Sequence, residues 1–428
     1  MTDALMDSQS WINYIIAIFF TVCYSYQFFY IFIALVFKPR VFKKDTPHQI
    51  AILISARNEE NVIGHLIDSI NKQTYNKEYL SVFVVADNCD DNTAQVARDA
   101  GATVFERFND KLVGKGYALD FLVSQIYRRY SEDFFEGYII LDADNLLDKN
   151  YVSEMNKAFS DGNRIVTSYR NSKNYGANWI SSGYGLWFLR EAKYLNNARM
   201  ILHTSSAVSG TGFMFHKDII KRTGGWKYFL LTEDIEFTID SIVHNEKIAY
   251  AHKAMLYDEQ PTGFRQSWRQ RLRWAKGYFQ VFRKHGVDLL KGIFKSKNKF
   301  ACFDMCMTIL PAIVLTIFSF IINTIAFIPV AIQRDGVFLL YIQSVMETLG
   351  NSYLLLFVLG AFTVITEWKK ILCSAPKKIL YLFTFPLFML TYIPISVVAL
   401  FKKIEWKPIK HSVSVPIERM NEPIEKGE

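Results

Sequence analysis

The sequence predicts an α/β domain with a wound, mostly parallel sheet, inserted between α-helical transmembrane segments. Three observations carry this reading: long uncharged runs toward both ends, alternating strand and helix patterns between them, and carboxylates closing the strand-like runs. Half of the 428 residues are hydrophobic, 15% are aromatic and 21% are charged. That is too apolar for a disordered chain and too unevenly spread for one soluble globule. Lys and Arg number 49 against 41 Asp and Glu. The basic residues sit mainly beside the apolar runs, where anionic lipid is the expected neighbour and nucleic acid is not. Cys23, Cys89, Cys302, Cys306 and Cys373 form no CxxC pair, so neither a disulfide framework nor a zinc site is indicated.

The first element is a membrane helix. Trp11 to Phe37 contains no charged residue, and a helix of that length, at about 1.5 Å per residue, exceeds the roughly 30 Å hydrocarbon core. A signal peptide fits less well, because the run is too long, Asp3 and Asp7 replace a basic start, and no small-residue cleavage site follows. Lys38, Arg40, Lys43 and Lys44 come next. By the positive-inside rule the amino terminus lies outside and the following domain is cytoplasmic. Residues 1–44 are thus the amino-terminal membrane unit, with the helix at about 11–37, and residues 45–286 the cytoplasmic domain.

Within that domain, Gln49 to Ala56 is a short apolar run followed by a helical stretch from Glu60 to Lys72. Val82 to Ala86 repeats the pattern before Asp91 to Ala100, and Tyr138 to Leu141 gives a third buried strand. In such sheets ligands bind beyond the carboxyl ends of the strands. Those ends carry Glu59 and Glu60, then Asp87, Asp90 and Asp91, then Asp142 and Asp144. Two aspartates with one spacer at a strand end can hold Mg²⁺ or Mn²⁺ against a diphosphate, although such pairs also arise in ordinary turns. Asp87 can accept a hydrogen bond from a nucleobase imide or close an Asx turn. Lys115, between Gly114 and Gly116, stands where backbone N–H groups and an ammonium can meet phosphate; a plain helix start is the alternative.

Thr232-Glu233-Asp234 opens a helical pattern. It serves either as a cap or, through Asp234, as a general base for an alcohol. Gln270, Arg273 and Trp274 share neighbouring helix faces, where an amide, a guanidinium and an indole suit a sugar and a phosphate. Residues 287–304, with Leu289, Leu290, Ile293 and Phe294 among lysines, fit an interfacial amphipathic helix. Further apolar runs at about 305–333, 338–366 and 379–401 make residues 305–401 a second membrane unit, and 402–428 a tail. Pro386 and Pro394 mark the last run as broken or re-entrant against protein.

These stations, in this order and between membrane regions, resemble the membrane-bound family 2 glycosyltransferases, among them cellulose, chitin, hyaluronan and poly-N-acetylglucosamine synthases and ceramide glucosyltransferase. The resemblance covers Gln49 to Gly286, with a weaker echo at Trp406-Lys407-Pro408-Ile409-Lys410-His411. It implies a GT-A-like nucleotide-sugar-binding domain and an inverting transfer from a UDP-sugar to an acceptor hydroxyl. It further implies that Glu59, Asp87, Lys115, Asp142, Gln270 and Arg273 bind the nucleotide-sugar. Asp144 ligates Mg²⁺ or Mn²⁺, and Asp234 is the catalytic base. Gly210, Thr211, Thr232, Glu233 and Trp274 belong to the acceptor side. The departure is Ala86, where many members carry a first aspartate.

A processive, β-linked polysaccharide synthase in the cell membrane is the leading expectation, with an accessory export subunit left open. Transfer of one sugar to a lipid acceptor is the alternative. A transporter or channel with a nucleotide-binding regulatory insert is the third class, and it predicts charges along an intramembrane path; Glu347 is the only acidic residue close to a span interior.

Overall fold

A computed structural model describes residues 2–309, 321, 325, 337–405, 408, 411 and 413–421. The amino-terminal helix α1 (Thr2–Val36) leads into β1 (Ile50–Ala56), α2 (Ile63–Asn71), β2 (Leu80–Asp87), α3 (Thr93–Asp99), β3 (Thr103–Arg107), α4 (Lys115–Arg129) and β4 (Gly137–Asp142). Then come β5 (Leu146–Leu147), α5 (Tyr151–Ser160), β6 (Ile165–Ser172), α6 (Trp179–Arg190), a π-helical turn (Glu191–Asn196), α7 (Asn197–Ile201), β7 (Phe213–His216), α8 (Lys217–Thr223), α9 (Glu233–Val243) and β8 (Ile248–Asp258). Helices α10 (Phe264–Lys295), α11 (Lys299–Ile309), α12 (Val337–Thr366), α13 (Ala375–Leu390) and α14 (Tyr392–Phe401) follow among the described residues.

The sheet order is β3-β2-β1-β4-β7-β6-β8-β5. Strands β3, β2, β1 and β4 are parallel, β7 runs antiparallel to β4 and β6, and β6 pairs parallel with β8. Both faces of β1 are covered, which is why its sequence is continuously apolar. Ile50, Ile52 and Ile54 pack with Leu66, Ile67 and Met155 on one face, whereas Ala51 and Leu53 pack with Leu119, Leu122 and Phe237 on the other. Register places Ala56 opposite Ala86 and Ser55 opposite Asp142. The polar ends of β1, β2 and β4 therefore open on one edge of the sheet.

Two helices, Val345–Thr366 and Ala375–Phe401 with its internal break, are apolar and long enough to cross a membrane by length and composition. The expected segment at 305–333 lies mostly outside the described residues. The last run is interrupted at Thr391, between α13 and α14. There the fully buried Arg271 donates to the Phe388 carbonyl at 3.1 Å and to Thr391 Oγ1 at 2.6 Å, so the interruption is satisfied by protein. Opposite this contact, Ile379, Leu380, Phe383 and Leu387 remain exposed.

Helix α1 is joined to the domain by a buried polar centre. Asp304 of α11 accepts two bonds from Arg199, each at 2.7 Å, and one each from Tyr26 and Tyr30 of α1, at 2.9 and 2.7 Å. Helix α10 runs unbroken through residue 286 and lies against α9 at Gly277, where an added Cβ would come within 2.5 Å of the Thr232 side chain. That close approach fixes α10 against the amino end of α9. Replacing Gly277 with Ala is expected to cost about 1–3 kcal/mol through overpacking. A denaturant midpoint equal to wild type would remove this packing constraint.

Candidate active site

Each strand end delivers a carboxylate with a defined partner. Asp87, the last residue of β2, is buried, and register sets it opposite Arg107 at the end of β3. The Arg107 guanidinium donates to Asp87 Oδ1 and to the Leu112 carbonyl. Burial pushes the Asp87 carboxyl above its ordinary value, and Arg107 opposes that push. Arg107 was not foreseeable from spacing, because strand register alone brings the pair together.

Asp142 closes β4, and its backbone N–H donates to Thr211 Oγ1 at 2.9 Å. The Lys115 ammonium, at the start of α4, donates to Asp142 Oδ1 and to the Gly210 carbonyl, and lies 3.5 Å from Glu233. Burial alone would depress the pKa of this lysine, but Asp142 and Glu233 raise it above its usual value. Lys115 is therefore a cation held among acids. Gly116 next to it permits the approach, since a Cβ there would meet the Tyr228 carbonyl at 2.0 Å.

Thr232 occupies the N-cap position of α9, yet its hydroxyl makes no cap bond and is buried without a partner among the described residues. Asp234 accepts the Gly210 N–H at 2.6 Å. The acids of this motif thus face the loop and Lys115. Burial pushes Glu233 up to about 7, against the pull of Lys115.

Asp144 is buried and accepts the Glu259 N–H at 2.8 Å. His411, from the carboxy-terminal tail, binds Glu59 through Nδ1 at 2.8 Å and lies close enough to Asp144 for the two to shift each other. Burial lowers the His411 pKa, but Asp144 and Glu59 outweigh it and raise the group to about 10. Burial acts to raise the Asp144 carboxyl, and the charges of His411, Lys173 and Arg170 with the Glu259 N–H together hold it below its ordinary value. Val413 N–H to Glu259 at 2.9 Å anchors the tail beside them. In the sequence this histidine stands out only through the weak terminal echo; Trp406, Lys407, Ile409 and Lys410 of that echo lie outside the described residues.

On α10, Trp274 meets Tyr184 and Phe188 edge-on, with centroids 5.6 and 6.4 Å apart. Gln270 Oε1 and Arg273 Nε are buried atoms without partners among the described residues, the state expected of groups awaiting a polar ligand. Direct contacts bring together Lys115, Asp142, Gly210, Thr211, Glu233 and Asp234. Glu59, Asp144 and His411 form the adjoining cluster, while Asp87 lies on the neighbouring strand with Arg107.

The profile described as "Glycosyltransferase like family 2" matches residues 47–277. The chain belongs to glycosyltransferase family 2. It is 25% identical over 349 residues to the probable glycosyltransferase YdaM of Bacillus subtilis, covering 76% of this chain and 74% of that one. Identity is 24% to a beta-monoglucosyldiacylglycerol synthase of Synechocystis, covering 55% of this chain and 48% of the relative. It is 22% to a poly-beta-1,6-N-acetyl-D-glucosamine synthase of Staphylococcus epidermidis, covering 54% and 55%. The chain spans about half the length of these last two relatives. Among solved structures, the mannosyltransferase PcManGT of Pyrobaculum calidifontis, in complex with GDP-Man and Mn²⁺, superposes with a TM-score of 0.59 at 15% identity, over 94% of this chain and 99% of that one. This likeness confirms the GT-A-like fold of the family 2 enzyme.

Among the described residues no group of three or more His, Cys, Asp or Glu side chains is placed to enclose a metal ion. The chemistry of the donors still fits a divalent cation. Asp142 and Asp144 offer hard oxygens at one strand end, and the buried Glu59 Oε2 beside them has no partner among the described residues. Remaining ligands would have to come from a diphosphate.

The tail contact has a pH signature. A histidine raised from 6.5 to about 10 stabilises the fold fully below pH 6.5, and that stability is lost as pH rises toward 10. His411→Ala should therefore lower the thermal midpoint most near pH 6.5 and converge with wild type near pH 10. Parallel midpoint curves across this range would remove the ion pair from the account.

Proposed function

We propose that this family 2 enzyme transfers a sugar from a UDP-sugar to an acceptor hydroxyl with inversion, at the cytoplasmic face of a membrane, and so extends a β-linked saccharide. The observation that carries the reading is the single cluster in which Lys115 joins Asp142, Glu233 and the Gly210 loop, with Asp234 on the same loop. Asp234 takes the proton of the acceptor hydroxyl. The oxygen forms a bond to the anomeric carbon while the bond from that carbon to the β-phosphate oxygen breaks, and the electron pair leaves with UDP. Arg273 and Gln270 hold the diphosphate, and Asp87 and Glu59 line the nucleotide side. Asp144 and Asp142 are the residues that would hold Mg²⁺ or Mn²⁺, which when bound neutralises charge on the departing diphosphate. Trp274, boxed by Tyr184 and Phe188, offers an aromatic platform for a sugar ring.

Placement at a membrane is supported by α12, by the α13–α14 pair with its exposed apolar face, and by the basic residues after α1. Addition of one sugar to a lipid alcohol is the second reading, favoured by the likeness to the glucosyldiacylglycerol synthase.

Purified protein in lipid, given a panel of UDP-sugars, should yield a ladder of mass increments for the saccharide reading and one increment on lipid for the second. Asp234→Asn is expected to lower transfer by roughly 10²–10⁴-fold while UDP still binds. A variant with wild-type turnover would exclude Asp234 as base. Excess chelator should abolish transfer, and full turnover in its presence would remove the cation.

A further inference from the structure

Glu191 is a half-buried carboxylate that the mechanism above does not use. It opens the π-helical turn after α6, an irregularity that is frequent at functional sites. Ser209 Oγ donates to Glu191 Oε2 at 3.4 Å, and the next residue, Gly210, donates its N–H to Asp234. The two carboxylates therefore flank one dipeptide. Its carbonyls are held by cations: Arg170 Nη1 binds the Ser209 oxygen at 3.1 Å and Lys115 binds that of Gly210 at 2.8 Å.

The same helix carries Phe188 one turn before Glu191, and Phe188 packs beside Trp274. The Arg170 guanidinium lies over the Phe188 ring at 3.7 Å, so ring, guanidinium and carboxylate form one wall. A cavity of about 10 Å³ opens between Glu191, Arg170, Phe188, Ser209 and Thr211. That is room for one water-sized group, such as a hydroxyl. Ser209 is the only hydrogen-bond partner identified for Glu191 among the described residues, and at 3.4 Å that bond is weak. A carboxylate that only accepts has capacity left for an incoming O–H.

We propose that Glu191 is a specificity-determining residue that binds a second hydroxyl of the acceptor, next to the one activated by Asp234, and thereby selects a saccharide end over a simple alcohol. The inference rests on the transfer reading above. A site built around a hydrogen bond to a substrate hydroxyl disfavours analogues that lack it, because its own polar group is then left unpaired.

The test uses the full chain in detergent with two acceptors on the same alkyl chain: an alkyl glucoside, which has neighbouring hydroxyls, and the parent alkanol, which has one. Wild type is first titrated with UDP, and a protein that neither binds UDP nor transfers sugar would overturn the transfer reading and this inference together. In a protein that does both, wild type should favour the glucoside. Glu191→Ala should lower kcat/KM for the glucoside at least about 10-fold, mainly through KM, with a smaller loss for the alkanol, so the preference collapses. Glu191→Gln keeps the side-chain shape and carries the test if the alanine variant does not fold; it should erode the preference in the same direction. An unchanged preference in the variants, or a parallel loss for both acceptors, would overturn the assignment.

Discussion

The Lys115 ammonium is the contact on which the arrangement of the site depends. It is the shared partner of the β4 terminus, the α9 amino end and the 209–212 loop, three segments distant in sequence, and it stands between the Asp142 and Glu233 carboxylates. Its cost is desolvation, and nearby carboxylates offset that cost, which is why its proton is held more tightly than usual. Removing one member of such a buried set leaves the others uncompensated. The β4 terminus, the α9 amino end and the 209–212 loop are therefore tied together through one charge balance.

Helix α10 extends this coupling outward. It carries Gln270, Arg273 and Trp274, the last packed against Tyr184 and Phe188, while Arg271 and Leu272 engage α13 and α14. The guanidinium next in sequence to Gln270 thus satisfies the break in an apolar helix. The Pro-interrupted run was legible as broken, but the partner that makes the break tolerable was not, since nothing in the local sequence separates Arg271 from the arginines on either side.

The pattern of legibility follows from where the information resides. Strands buried on both faces, β1, β2 and β4, announce themselves as apolar runs, and the acids at their ends mark the cleft. The remaining strands do not: β5 is two residues long, β3 carries Glu106 and Arg107, and β6 and β8 mix polar residues into interior positions that tertiary contacts satisfy. Motif residues were readable because their spacing is local. Arg107 and Glu191 were not, because register and a π-helical turn respectively set their contacts, and His411 was marked only by the terminal echo because a returning tail carries it to Glu59.

The Asp304 centre carries a consequence for how this enzyme is held together. A carboxylate with four donors, two of them phenols from the first helix, makes α1 an integral wall of the catalytic body and not a detachable tether. Cutting the chain after that helix would leave a guanidinium–carboxylate pair stripped of both hydroxyl donors, half of its four bonds, with detergent or lipid tail in their place. Excision of a freestanding soluble catalytic core is thus disfavoured by chemistry well away from any substrate.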